Sequence, residues 1–228
     1  MANKTLATIR DDIKLLCDEE NSTTPVSSYW NNRINTEMKY IAALLSPREL
    51  QKTGYISTVN GTATYSLPTD YRDMIAVYYY DGSDWKELIR AEKYSLAQKF
   101  GDDFHENDTG EPDYYYIYGT TIGLYNVSDY TGTNNLKLEY YKTPTELSSD
   151  TSIIEFNDII TELIEFRVAY KYKLKDDESE QAMLLKTSYI DLLREVRQIM
   201  LEETEISKIG LDAKQFRGFY GADQHRIE

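Results

Sequence analysis

The apolar residues of this chain keep one spacing at its two ends and another in its middle. Steps of three and four run through residues 1–52 and return after about 150, whereas steps of two fill residues 53–149. A stretch that folds by strand pairing, set between stretches that fold as helices, is an α+β arrangement. The expected architecture is an antiparallel helical bundle of residues 1–52 and 150–206, with an inserted antiparallel β-rich domain at 53–149. An extended C-terminal arm at 207–228 completes it.

The helical spacing is specific. Leu6, Ile9, Ile13, Leu16 and Cys17 form one stripe over residues 5–19, with Thr5 as N-cap and Asn21-Ser22-Thr23-Thr24-Pro25 as the stop. Trp30, Ile34, Met38, Ile41, Leu44 and Leu45 form a second stripe, which starts near Ser27 or Ser28 and ends at Pro47. These two helices are expected to make a hairpin. Phe156, Ile159, Ile160, Leu163, Ile164, Phe166, Val168, Ala169 and Tyr172 repeat the pattern over 156–175, and Asp176-Asp177-Glu178-Ser179 interrupts it. Over 179–206, Ala182, Leu185, Tyr189, Leu192, Val196, Ile199 and Met200 approach a heptad seam.

In the middle, Tyr55 to Val59 runs into Asn60-Gly61, a strong two-residue hairpin signal, and Ala63 to Leu67 is expected to run back along it. Met74 to Tyr80 is a strand turned by Asp81-Gly82, with Trp85 to Ile89 pairing back. Residues 91–100 read as a short helix. The polar stretch from Gly101 to Pro112 reads as a loop. Tyr114 to Tyr118, Thr121 to Tyr125 and Leu136 to Tyr141, separated by Gly119-Thr120 and by Ser128-Asp129-Tyr130-Thr131-Gly132-Thr133, complete an antiparallel meander.

The stretch from Ser207 to Glu228 has no sustained period. It holds Gly210, Gly218, Gly221 and three aromatics, Phe216, Phe219 and Tyr220. Lys208, Lys214, Arg217 and Arg226 against Asp212, Asp223 and Glu228 give it a charge of +1 on a body of −15. It reads as an arm that orders on a partner, or as a frayed terminus.

Charge and residue supply restrict the chemistry. A net charge of −14 opposes general nucleic-acid binding, which needs clustered cations. One cysteine, Cys17, makes neither an internal disulfide nor a Cys-based zinc site, and it reads as a buried thiol on the first helical stripe. His105 and His225 leave little for acid–base or metal chemistry. No nucleophile elbow, phosphate-binding loop or dinucleotide fingerprint occurs. The acidic run Asp102 to Asp108 is rich in oxygen ligands but lacks EF-hand spacing, so a solvated loop is the expectation. No metal, cofactor or catalytic set is expected. Charges within the first sixteen residues leave no apolar signal-peptide core, and no apolar run is long enough to span a membrane.

Tyr is the compositional outlier, at 21 against 6 Phe and 2 Trp. Tyr78-Tyr79-Tyr80, Tyr114-Tyr115-Tyr116 and Tyr140-Tyr141 lie on expected strands. Neighbours on a strand point to opposite faces, so each cluster places Tyr both inside and outside. The outward members are cross-strand pairs, a subunit contact face or a sugar-stacking platform.

Several segments in order resemble the head-to-tail adaptor (connector) proteins of tailed bacteriophages, the group that includes the tail tubular protein A type. They are Leu67-Pro68-x-Asp70-Tyr71-Arg72; Gly110-Glu111-Pro112-Asp113-Tyr114 through Gly119 with Ile122-x-Leu124-Tyr125; Leu136-x-Leu138-x-Tyr140-Tyr141-Lys142-x-Pro144-x-x-Leu147-Ser148; and Phe156-Asn157-Asp158-Ile159-Ile160. The resemblance covers about residues 1–205, and Asn126 stands where it leads one to expect proline. It implies a non-enzymatic virion protein, made in the host cytoplasm, that assembles as a ring of twelve subunits under the portal protein. The next tail protein, nozzle or tube, would follow, and DNA would only pass through the lumen. No membrane is involved. On that reading Lys214, Phe216, Arg217, Phe219 and Tyr220 dock the arm on the portal. Tyr78, Tyr80, Tyr114 and Tyr116 face neighbouring subunits or the tail. The alternatives are a Tyr-rich glycan-binding accessory module of a phage tail and, further off, a hydrolase using the acidic loop.

Overall fold

The computed structural model describes residues 3–23, 26–102, 109–176 and 178–220, the last of these without side chains beyond residue 202. The acidic stretch 103–108 with His105, the end of the first helical stop at Thr24-Pro25, and the tail beyond Tyr220 with His225 lie outside the described residues. The chain is mixed α+β and divides into two compact units, Met1–Leu45 with Glu146–Glu228, and Ser46–Thr145.

The first unit is helical. Helix α1 (Leu6–Leu16) starts at Thr5, whose hydroxyl accepts a hydrogen bond from the Thr8 amide at 3.3 Å, the capping that its position suggests. Helix α2 (Ser27–Leu45) stops before Pro47. Before α1, the chain pairs with the segment around residues 152–154: the Leu6 amide donates to the Ser152 carbonyl and the Ile154 amide to that of Lys4.

Helix α4 (Asp158–Lys175) is the centre of this unit and packs against α1, α2 and α5 (Ser179–Tyr220). Its start is held by Asn157, whose side chain accepts from the Ile160 amide at 3.0 Å. Because partners lie on several sides, α4 buries polar as well as apolar positions, among them Thr161, Glu165, Arg167 and Lys173. Trp30, Ile34, Leu163 and Ile164 are fully buried.

The fading apolar period suggests a boundary at 206. The backbone shows none there: α5 continues through Gly210 and Gly218 to Tyr220. At 1.5 Å per residue, its 42 residues span about 63 Å. A glycine in a helix costs about 1 kcal/mol, a weak brake on an established helix.

The second unit is built from sheets. One holds β1 (Gln51–Thr58), β10 (Gly132–Lys142), β3 (Tyr71–Tyr80) and β4 (Trp85–Glu87), in the order β1-β10-β3-β4, all antiparallel. The other, in order across the sheet, holds β2 (Thr64–Ser66), β8 (Thr121–Tyr125), β7 (Tyr114–Tyr118) and β5 (Ile89–Arg90). Two short pairs are parallel, β5 with β7, and β6 (Thr109–Gly110) with β9 (Val127–Ser128).

The two main sheets pack face to face. Val77, Tyr79, Leu136, Leu138 and Tyr140 from the first meet Tyr115, Ile122 and Leu124 from the second. Helix α3 (Lys93–Phe100) covers the far face of the second sheet, where Leu96 packs on Tyr116 and Tyr125. The unit is therefore three layers deep. The turn at Gly119-Thr120, with Gly119 at φ +60°, joins β7 to β8 as expected.

The Asn60-Gly61 expectation is corrected. Gly61 does turn, at φ +76°, but the flanking strands do not pair with each other. β1 pairs with β10, and β2 pairs with β8 in the opposite sheet. The turn carries the chain from one layer to the other.

Candidate interaction surface

The outer face of the first sheet is set by its register. Tyr55 of β1 lies opposite Lys137 of β10, Lys137 opposite Tyr78 of β3, and Tyr78 opposite Glu87 of β4. Two residues on, Tyr80 pairs with Trp85. Alternation therefore brings Tyr55, Tyr78, Tyr80, Trp85 and Lys137 to one face, away from the core that Val77 and Tyr79 enter.

The rings touch. The Tyr80 and Trp85 centroids are 5.3 Å apart, and those of Tyr55 and Trp85 6.4 Å. The Lys137 ammonium sits 4.1 Å from the Tyr78 ring centre and 5.8 Å from that of Trp85, and bonds Glu139 at 3.0 Å. Trp85 is 45 % exposed and Tyr55 53 %. Large aromatic surface left open is the composition of a protein contact face.

The expected contact residues separate into different environments. Tyr78 and Tyr80 lie half-buried on this face. Tyr114 lies under α3, in a ring cluster with Phe100 and Tyr125, where the Lys99 ammonium comes within 5.6 Å of it. Tyr116 is 2 % exposed and closes over Gly123, where a Cβ would overlap its ring. It belongs to the core, so it offers no surface. Nothing local in the sequence singles out Trp85, Tyr55 or Lys137. Only the strand register places them beside Tyr78. The side chains of Lys214, Phe216, Arg217, Phe219 and Tyr220 lie outside the described residues.

The helical unit carries charge inside. Glu37, on α2, is buried and accepts from the Arg167 Nε at 2.5 Å and the Lys171 ammonium at 2.6 Å, both on α4. The Arg167 guanidinium also lies 3.5 Å from the Tyr40 ring centre and donates to the Tyr189 hydroxyl on α5. One arginine thus ties α2, α4 and α5 together.

A second cluster ties the segment before α1 to α4: Lys4 bonds Asp12 at 2.7 Å and Glu165 at 2.8 Å. Burial pushes the Glu165 carboxyl up to about 7, against the opposing pull of Lys4. Burial likewise raises the Cys17 thiol to about 12, so it stays protonated and unreactive. These groups hold helices together. Among the described residues, no three His, Cys, Asp or Glu side chains gather as a metal site, and no helix is long and apolar enough to cross a membrane.

The family described as SU10 adaptor protein matches residues 4–207, which take in both units. The chain belongs to that family. It is a phage adaptor, a structural component of the virion that works by contact with other head and tail components. No curated protein matches the chain. For an adaptor the arrangement is coherent: the polar clusters tie the helical unit together internally, and the open aromatic face is surface available to a neighbour.

Proposed function

We propose that this adaptor forms a ring between the portal protein and the next tail protein, a head-to-tail connector of the tail tubular protein A kind. The ring has twelve subunits and lets DNA through its lumen. The observation that carries the reading is an uncovered aromatic sheet face on a chain of an adaptor family. Tyr78, Tyr80 and Tyr114 serve side-to-side or tail contacts. The segment from 207 on, with Lys214, Phe216, Arg217, Phe219 and Tyr220, engages the portal. Its slight positive charge on a body of −15 supports that role. The acid excess also suits a wall that DNA must slide past, since net negative charge repels phosphate. A glycan platform is less well supported, because Lys137 already lies across the Tyr78 ring.

The test is truncation after residue 206. The shortened chain should keep the thermal transition of the 228-residue chain and fail to co-sediment with portal rings. A truncated chain that joins portal rings normally refutes the arm assignment. Phe216→Asp with Phe219→Asp in the untruncated chain should reproduce the loss without shortening α5.

A further inference from the structure

The two outer layers of the sheet unit differ in chemistry. On one side lies the aromatic face, rimmed by Asp84 and Glu87 of the β3–β4 hairpin, both exposed. On the other side lies α3. It presents Tyr94, 72 % exposed, and on the same side Tyr118 ends β7, 66 % exposed. Lys93 rests 4.8 Å from the Tyr118 ring centre and Lys99 4.7 Å from that of Phe100. Lys99 is exposed and Lys93 half-buried, so this layer pairs ring surface with positive charge. Glu92 and Asp102 stand at the two ends of α3. The match of signs is therefore local, between these lysines and the hairpin acids.

We propose that these two faces are the halves of one contact: α3 of one copy docks on the Tyr55–Tyr78–Tyr80–Trp85 face of the next copy. The proposal rests on the ring reading above and names the surfaces that build the ring. Two arguments select a second copy as the occupant. First, the faces lie on opposite sides of a layered unit whose sheets stack about 10 Å apart, so one copy cannot satisfy itself. Second, the faces are complementary and not self-complementary. One offers aromatic surface whose own Lys137 is held by Glu139, with Asp84 and Glu87 at its rim; the other offers aromatic surface with Lys93 and Lys99. A contact between unlike patches is heterologous, and repeated by a fixed rotation it closes a ring.

The experiment follows from that asymmetry. Trp85→Glu blocks the sheet face and Tyr94→Glu blocks the α3 face, and both positions are exposed enough to leave the fold intact by circular dichroism. In sedimentation velocity the unaltered chain should self-associate with a Kd below about 1 mM, the weakest contact of practical use. Each variant alone should associate at least tenfold more weakly. Mixed one to one, they should form dimers that grow no further, because each supplies the face that the other lacks. Should either aromatic variant fail to fold, Glu87→Lys and Lys99→Glu test the same contact with exposed charges: each alone should associate more weakly than the unaltered chain, and their one-to-one mixture, which restores an opposite-charge pair at every contact, should associate as the unaltered chain does. Variants that associate like the unaltered chain, a mixture that stays monomeric, or an unaltered chain still monomeric at about 1 mM each overturn the proposal. Failure of the ring reading itself is separate: the chain would then be missing from the neck of the virion whatever its self-association.

Discussion

Replacing Glu165 by Gln should remove a pH dependence from the stability of the helical unit. Glu165 is buried on α4, and its carboxyl titrates at about 7 instead of its ordinary 4.5. In the native state it therefore holds a proton over a range in which the unfolded chain has released it. Unfolding then releases protons, so stability falls as pH rises from about 4.5 to about 7, and this group contributes no further slope above that. One pKa unit corresponds to about 1.4 kcal/mol, so the whole effect is on the order of 3 kcal/mol. Carboxylates held below their ordinary values, such as Asp70, Asp150 and Glu146, act in the opposite sense and only in more acid solution. Urea unfolding at a series of pH values from about 5 to about 8 would measure it, spanning the window between the unfolded and folded titrations. A Trp85→Phe background leaves the buried Trp30 of the helical unit as the fluorescent reporter. The stability of the unaltered chain, measured relative to the Glu165→Gln variant, should fall steadily as pH rises to about 7 and then level off. A difference that is flat over this range would refute the assignment of burial as the dominant influence on Glu165.

Two further substitutions probe the packing. Glu37→Ala leaves Arg167 buried without its carboxylate and should cost about 3–5 kcal/mol in urea unfolding, whereas Lys39→Ala, which breaks only the exposed pair with Glu146, should leave the urea midpoint almost unchanged. Equal losses would show that burial does not decide the worth of these pairs. Gly123→Ala forces the Tyr116 ring out of its place and should destabilise the sheet unit by about 1–3 kcal/mol; an unchanged thermal transition would mean the ring moves freely.

Local signals were legible in the sequence, and distant pairings were not. Thr5 and Pro47 marked helix limits because caps and breakers act within a few residues, whereas the cap at Asn157 lies inside the stretch expected to be helical from 156. Gly119-Thr120 marked a true hairpin because the strands on either side pair with each other. Asn60-Gly61 has the same local chemistry, yet the strands beside it separate. β1 finds β10, far along the chain, and β2 joins the opposite sheet. The same long-range register decides which Tyr is outside. Tyr78 shares a rung with Lys137, which in turn faces Tyr55, and Tyr116 is drawn inward by the space at Gly123, so alternation alone could not tell them apart. Trp85 gained its meaning only when β4 paired with the end of β3 at Tyr80.

The central claim is that this chain works as a ring held between other proteins. Electron microscopy of purified portal mixed with the 228-residue chain, followed by averaging about the portal axis, tests it most directly. A twelve-fold collar added to the tail-facing side of the portal is the expected result, with the sheet units of neighbouring copies side by side. Bare portals at saturating chain, or density bound elsewhere on the particle, would contradict it.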